Sequence, residues 1–295
     1  MPETPRTVAI TGTHGWVGGC LARYFREQGW RVHGLVRRPS ATALEVGDEA
    51  AFRLGEEISP GTLAGTEALI HCAYDFAPRA WPEIEATNVE GTRRLFAAAK
   101  EAGVPRAVLI STMSAFSEAK SLYGRAKLAM EKIAAAQGAL ILRPGLVYGD
   151  RAGGMYGSLV AQVRKSGVIP LIGGGTQVLY LVHEQDLSEL ARRFCAREFP
   201  APPEPVTAAH EQPWTFREIL EEIARRLGRK PKLIGVPWKL VWLVLKTAET
   251  LGLRLGFRSD SLISLVNQNP KPDFSQGAAV GFHPRPYSTA VLSLE

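Results

Sequence analysis

The chain is poor in the features that mark several protein classes. Among its 295 residues there are three cysteines, Cys20, Cys72 and Cys195, too few and too scattered for a disulfide framework or a thiolate metal site. They are read as reduced thiols of a cytoplasmic protein, and no metal is expected. No apolar run approaches the ~20 residues that span a bilayer. The opening residues, MPETPRTVAITG, hold no apolar targeting stretch. Long basic runs, zinc-finger spacings and RNA-binding aromatic motifs are missing too, so no nucleic-acid partner is expected. The formal net charge of +6 is a small excess that suits anionic small molecules, and a 45% apolar share provides for a substantial soluble core.

What is present is organised around Val8 to Gly18, VAITGTHGWVG. Val8 to Thr11 is expected as a short buried strand, and Cys20 to Gln28 has helical periodicity. Between them Gly12, Gly15 and Gly18 allow a tight turn, close approach to a pyrophosphate, and tight helix–strand packing. The free N–H groups of the helix start, around Trp16 and Val17, would face the anion. Arg31 to Val36 is expected as the second strand, completing a nucleotide-binding βαβ unit. The residues after that strand choose the dinucleotide. An NAD site usually has a carboxylate there for the ribose hydroxyls. This chain has Arg37 and Arg38, two guanidiniums suited to a 2′-phosphate. NADP is therefore expected, with NAD as the alternative.

Further strands are expected at Ala51 to Gly55 (an edge), Ala68 to Ala73 and Ala107 to Ser111, with an amphipathic helix over Asn88 to Glu101. His71 is read as a hydrogen-bonded core residue. Alternating strands and helices imply an α/β fold, a Rossmann-type doubly wound parallel sheet, with ligands beyond the carboxyl ends of the strands. Thr11 to Gly18, Ala73 and Ser111 to Ser114 lie at such ends. Eleven residues after Thr112 comes Tyr123, and four further on Lys127, within a helical stretch from Leu122 to Ala136. Positions i and i+4 share a helix face. The Lys127 ammonium is thereby expected to favour ionisation of the Tyr123 phenol, which could exchange a proton with a substrate oxygen.

In this order the motifs resemble an extended short-chain dehydrogenase/reductase of the NAD-dependent epimerase/dehydratase family. The matching residues are Thr11-Gly12-x-x-Gly15-x-x-Gly18, His71-Cys72-Ala73, Asn88-Val89-x-Gly91-Thr92, Ser111-Thr112, Tyr123-x-x-x-Lys127, and Arg143 to Gly149 (RPGLVYG). Leu181 to Leu187 is similar to a later family segment, and the likeness loosens after about Leu190. The resemblance implies a nicotinamide cofactor and hydride transfer. It gives Tyr123 the proton, Lys127 a hold on the nicotinamide ribose, and Thr112 the orientation of the substrate oxygen, with Ser111 as the fallback. Pro144 and Gly145 would lie beside the nicotinamide. Met113-Ser114 stands where sugar dehydratases have an Asp-Glu pair, and the Thr112–Tyr123 interval is short. Both departures, with the Val-Arg-Arg-Pro after the second strand, point to carbonyl reduction or alcohol oxidation, and a roof formed by the apolar segment 237–255 would favour a small, fairly apolar substrate. A nucleotide-sugar epimerase with retained cofactor and a non-catalytic nucleotide-binding subunit are the alternatives.

Residues 1–190 are assigned mainly to the cofactor domain and 191–295 mainly to a C-terminal substrate lobe, with interleaving near 150–180. Gly153 to Gly157 is expected as a mobile cover, and His183 with Asp186 as a hydrogen-bonded core pair. Thr215 and Glu218 spell a capping box. Phe274 to Pro286 resembles the family's closing segment, expected on the small lobe. The segment 237–255, PWKLVWLVLKTAETLGLRL, has a dense apolar run edged by Lys239, Lys246 and Arg254. It is read in three ways: a roof over the pocket, a homodimer face, or a weak membrane-surface helix.

Overall fold

The structure is a computed structural model describing residues 5–40, 47–149, 151, 153–253 and 257–287. Arg254 lies outside the described residues. The βαβ opening is present as β1 (Thr7–Thr11), α1 (Trp16–Glu27) and β2 (Arg31–Val36). The edge strand β3 is Asp48–Ala51, displaced from the expected 51–55. Phe52 and Leu54, which made that stretch look like a strand, are instead buried just past its end. The chain continues through β4 (Ala68–His71), α2 (Trp81–Ile84), a π-helical turn at Glu85–Val89, α3 (Glu90–Glu101), β5 (Arg106–Ile110), α4 (Leu122–Ala135) and β6 (Leu140–Pro144). After these come β7 (Leu146–Tyr148), α5 (Gly154–Lys165), β8 (Val168–Ile172), β9 (Val178–Leu179), β10 (Leu181–His183), α6 (Glu184–Cys195) and β11 (Val206–Ala208). The last elements are β12 (Trp214–Thr215), α7 (Phe216–Arg226), β13 (Lys232–Val236), α8 (Trp238–Thr250), α9 (Ser259–Val266) and α10 (Ser275–Ala279).

The main sheet is parallel, in the order β11-β6-β5-β4-β1-β2-β3. Alternate strand residues feed its two faces, as a strand period of two requires. Val8, Ile10, Ala68, Ile70, Val108 and Ile110 join one core with Leu21 and Phe25 of α1 and Phe194 of α6. Ala9 and Leu69 face the other way, toward Leu95 of α3, and Leu109 toward Met130 of α4. The chain runs outward from β1 to β3, then returns to build β4, β5 and β6 on the other side. The switch between β1 and β4 opens a crevice at their carboxyl ends.

The smaller lobe pairs β8 with β13 and β9 with β12, packed with α5 and α7 around Tyr156, Ile169, Leu171 and Ile219. Helix α5 takes in the stretch expected as a mobile cover, because its buried stripe begins at Tyr156. The capping box at Thr215 and Glu218 is formed. Phe274 to Pro286 bridges the two cores: Phe282 enters the main core and Arg193 donates to the Val280 and Gly281 carbonyls, while Phe274 packs on Tyr180 and the Pro286 carbonyl accepts from Tyr148 of the small-lobe core. His183 and Asp186 do not pair with each other: His183 caps α6 by accepting from the Gln185 amide, and Asp186 holds Arg285. No helix among the described residues is long and apolar enough to cross a membrane.

Candidate active site

The turn after β1 needs its glycines for steric reasons. Gly12 has φ +73°, in the left-handed region, and its N–H donates to the Leu35 carbonyl at 2.9 Å. A Cβ on Gly12 would lie 3.2 Å from the Ala73 Cα, and one on Gly18 only 2.3 Å from the Gly12 carbonyl oxygen. The neighbours are backbone and cannot swing aside. Gly18→Ala is therefore expected to shift the start of α1, weakening NAD binding about tenfold and lowering stability by about 1–3 kcal/mol. Calorimetric titration and chemical denaturation would measure both; wild-type values for both would show that the turn absorbs a methyl group.

A buried polar chain holds the other side of the crevice. The Thr92 hydroxyl donates to the Asn88 carbonyl at 2.7 Å, so it must accept from His71 Nε2, 3.0 Å away. His71 Nδ1 then accepts from Thr11 Oγ1 at 2.8 Å, and that oxygen accepts in turn from the Cys72 and Ala73 amides. This tautomer is neutral, and burial pushes the His71 pKa down to about 3. The Asn88 side chain, in the π-helical turn, clasps the Asp75 backbone through both its amide atoms. His71 is thus a core residue that fixes the loop after β4.

The catalytic candidates meet where β5 ends against α4. The Thr112 hydroxyl is near enough to the Tyr123 hydroxyl to pull on its pKa, and the Tyr123 ring lies among Tyr74 (centroids 5.0 Å apart) and Phe76 (5.6 Å, stacked). Burial drives the Tyr123 pKa up to about 12, against a smaller downward pull from Thr112. The expected tuning by Lys127 is not what the structure shows. Lys127 Nζ donates to the Ile110 carbonyl at 2.8 Å and lies 5.4 Å from the Tyr74 ring centre. Sharing a helix face placed the two residues together, but the buried carbonyl at the end of β5 claims the ammonium. Burial lowers the Lys127 pKa to about 8. Ser111, the fallback hydroxyl, donates to Glu131, which Arg143 grips with two hydrogen bonds. Its proton is committed to the framework.

Residues with no sequence signal complete the corner. Asp260, from α9, accepts the Leu122 and Tyr123 backbone N–H groups at 2.8 and 3.0 Å, capping the helix that carries the tyrosine. Arg258 donates to the Phe76 and Pro78 carbonyls, and Ser264 donates to Ser114 at 2.8 Å. Tyr74 and Phe76 signalled only that they follow Ala73 at a strand end.

One cleft of about 1510 Å³ joins these parts. Gly12, Gly15, Trp16, Val17 and Gly18 line it, as do Arg37, Arg38 and Ala73. Thr112, Tyr123, Lys127, Pro144 and Gly145 line it as well. The glycine cradle fits a dinucleotide pyrophosphate, and the Trp16 indole N–H is buried there with no hydrogen-bond partner. Among the described residues, the lining from 154 onward carries no charged side chain.

Residues 8–206 match the NAD dependent epimerase/dehydratase family. The chain belongs to that family. It is an NAD-binding enzyme of the oxidoreductase and epimerase type. A relative named ceramide reductase, from Caulobacter vibrioides, is 32% identical over 237 residues, covering 78% of this chain and 73% of its own. Among solved structures, MoeE5 in complex with UDP-glucuronic acid and NAD has a TM-score of 0.73 at 21% identity, with 97% of both chains covered. The UDP-glucose 4-epimerase of Thermotoga maritima with UDP-glucose also has a TM-score of 0.73, at 17% identity over 98% of this chain and 96% of its own.

These findings overturn the expectation of NADP. The family is NAD dependent, and MoeE5 was solved with NAD in two complexes. Arg37 and Arg38 do border the cleft, but both side chains are exposed. An exposed guanidinium can lie flat on a ring as readily as it grips a phosphate, so its charge alone does not encode a 2′-phosphate.

Proposed function

We propose that this epimerase/dehydratase-family protein is an NAD-dependent oxidoreductase that interconverts a carbonyl and an alcohol on a largely apolar substrate. NAD, when bound, supplies the hydride acceptor, and in its reduced form the donor. Gly12, Gly15 and Gly18, with the N–H groups of Trp16 and Val17, would cradle its pyrophosphate. Lys127 would hold the nicotinamide ribose, with Pro144 and Gly145 beside the ring. Tyr123 Oη would give its proton to the substrate oxygen during reduction and take it back during oxidation, and Thr112 would orient that oxygen. A phenol with a pKa near 12 is protonated at neutral pH, which suits the donor role.

The observation that carries the substrate class is the uncharged wall on the small-lobe side. A nucleotide sugar brings a diphosphate, and burying it without a cation is costly. The cleft's cations lie at the cofactor end, at Arg37, Arg38, Arg53 and Lys127. The likeness to a ceramide reductase supports an apolar substrate. A second reading, nucleotide-sugar epimerisation with retained NAD, is supported by the folds solved with UDP-sugars. Spectrophotometry of NADH with long-chain ketones and hydroxylated lipids, beside chromatography of UDP-sugars, separates the two. Stoichiometric NADH oxidation by a ketone is the expected result. UDP-sugar interconversion without net NADH change would establish the second reading, and no turnover of either class would return the protein to a nucleotide-binding role.

A further inference from the structure

Helix α8 has an outward apolar face that the proposed chemistry leaves unused. Leu240, Leu243, Val244 and Leu251 follow each other at helical spacing, and each is more than half exposed, with Leu253 beyond them. The inward side of the helix buries Leu245 and Ala248 and presents Val241 to the cleft. Lys239 and Lys246, one helical repeat apart, flank the outward face and are exposed. Lys230 and Lys232 add two more exposed cations just before it. Between Lys230 and Leu253 the single acidic residue is Glu249, and its carboxylate is taken by the Ser259 amide and hydroxyl.

From this pattern we propose that α8 docks the protein on an anionic lipid bilayer. Apolar side chains flanked by lysines match the acyl and headgroup levels of such a surface, with the lysine stems reaching up to the phosphates. Charge selects this occupant over a second copy of the chain, which would bring the four lysines against four more. Because Val241 is on the same helix, docking sets the cleft close to the acyl region. A substrate could then enter from lipid without crossing water. That delivery role rests on the apolar-substrate reading; the docking itself does not.

Flotation of the full chain with vesicles tests it. Binding is expected to phosphatidylcholine mixed with phosphatidylglycerol, to weaken with salt, and to be far lower on phosphatidylcholine alone. Leu243→Asp with Val244→Asp should reduce binding at least about tenfold. Lys239→Gln with Lys246→Gln should reduce it by about fivefold per lysine on anionic vesicles only. Both double variants should retain turnover of a short, water-soluble ketone, which shows that they fold. Failure of the wild-type chain to float would overturn the proposal. So would dimerisation that Leu243→Asp abolishes in a chain with no vesicle affinity. Vesicle binding without turnover of any ketone would count against the catalytic reading and leave the docking face standing.

Discussion

Tyr123→Phe is expected to lower turnover by about 10³-fold while NAD affinity stays within about twofold of wild type. The change removes one hydroxyl, the one that Thr112 acts on, and keeps the ring in its place between Tyr74 and Phe76. Packing and the cofactor cradle are therefore preserved, and the lost term is proton exchange with the substrate oxygen. The two reaction directions should differ with pH. Reduction uses the protonated phenol, so its rate is expected to hold through neutral pH and fall above about 8, where Lys127 loses its charge. Oxidation needs the phenolate to take the alcohol's proton, and because the phenol's pKa is near 12 its rate should keep climbing with pH through 8 and beyond. Steady-state rates in both directions, with stopped-flow NAD binding, check this. Unchanged kcat in the phenylalanine variant would remove Tyr123 from the chemistry.

Lys127→Met should separate activity from stability. The Lys127 side chain is 2% exposed as a residue, and burial takes its pKa from an ordinary 10.5 to about 8. Between those values the unfolded chain binds more protons than the folded one, so wild-type stability rises with pH across that window. Below pH 8 the buried charge destabilises the fold in full. Methionine fills a similar volume without charge. The gain at pH 7, after losing the hydrogen bond to the Ile110 carbonyl, is expected to be roughly 1–3 kcal/mol. If Lys127 holds the nicotinamide ribose as proposed, turnover should drop by about 10²-fold. Denaturation at pH 7 and pH 9.5 would show a variant whose stability no longer rises between them. A variant less stable than wild type at pH 7 would mean that surrounding dipoles compensate the charge.

The parts legible in the sequence are those encoded by nearby residues. The β1 strand, glycine turn and α1 lie within one short stretch, and each glycine answers a local steric demand. Strand alternation gave the parallel sheet and placed Ala73 and Thr112 at its carboxyl edge. Tyr123 and Lys127 were brought to one face by helical spacing, yet spacing carries no information about the Ile110 carbonyl that engages Lys127. The same limit hid Glu131, which joins Ser111 and Arg143 from three separate elements. Arg37 and Arg38 show a different failure: their position was right, but charge type at an exposed strand end does not fix the dinucleotide. Asp260 was invisible because its partners are more than 130 residues earlier in the chain.

With Tyr123 as the proposed proton donor, that carboxylate would tie substrate choice to catalytic rate. Helix α9 places Ser261, Ser264 and Leu265 on the cleft wall, while its Asp260 holds the first amides of the helix bearing Tyr123. Any substitution that tilts α9 to admit a different substrate also drags the phenol relative to the substrate oxygen. Selectivity cannot be redesigned on that wall without retuning speed. Variants that broaden the substrate range should gather on α5 and β9, whose lining residues are not bonded to the catalytic helix.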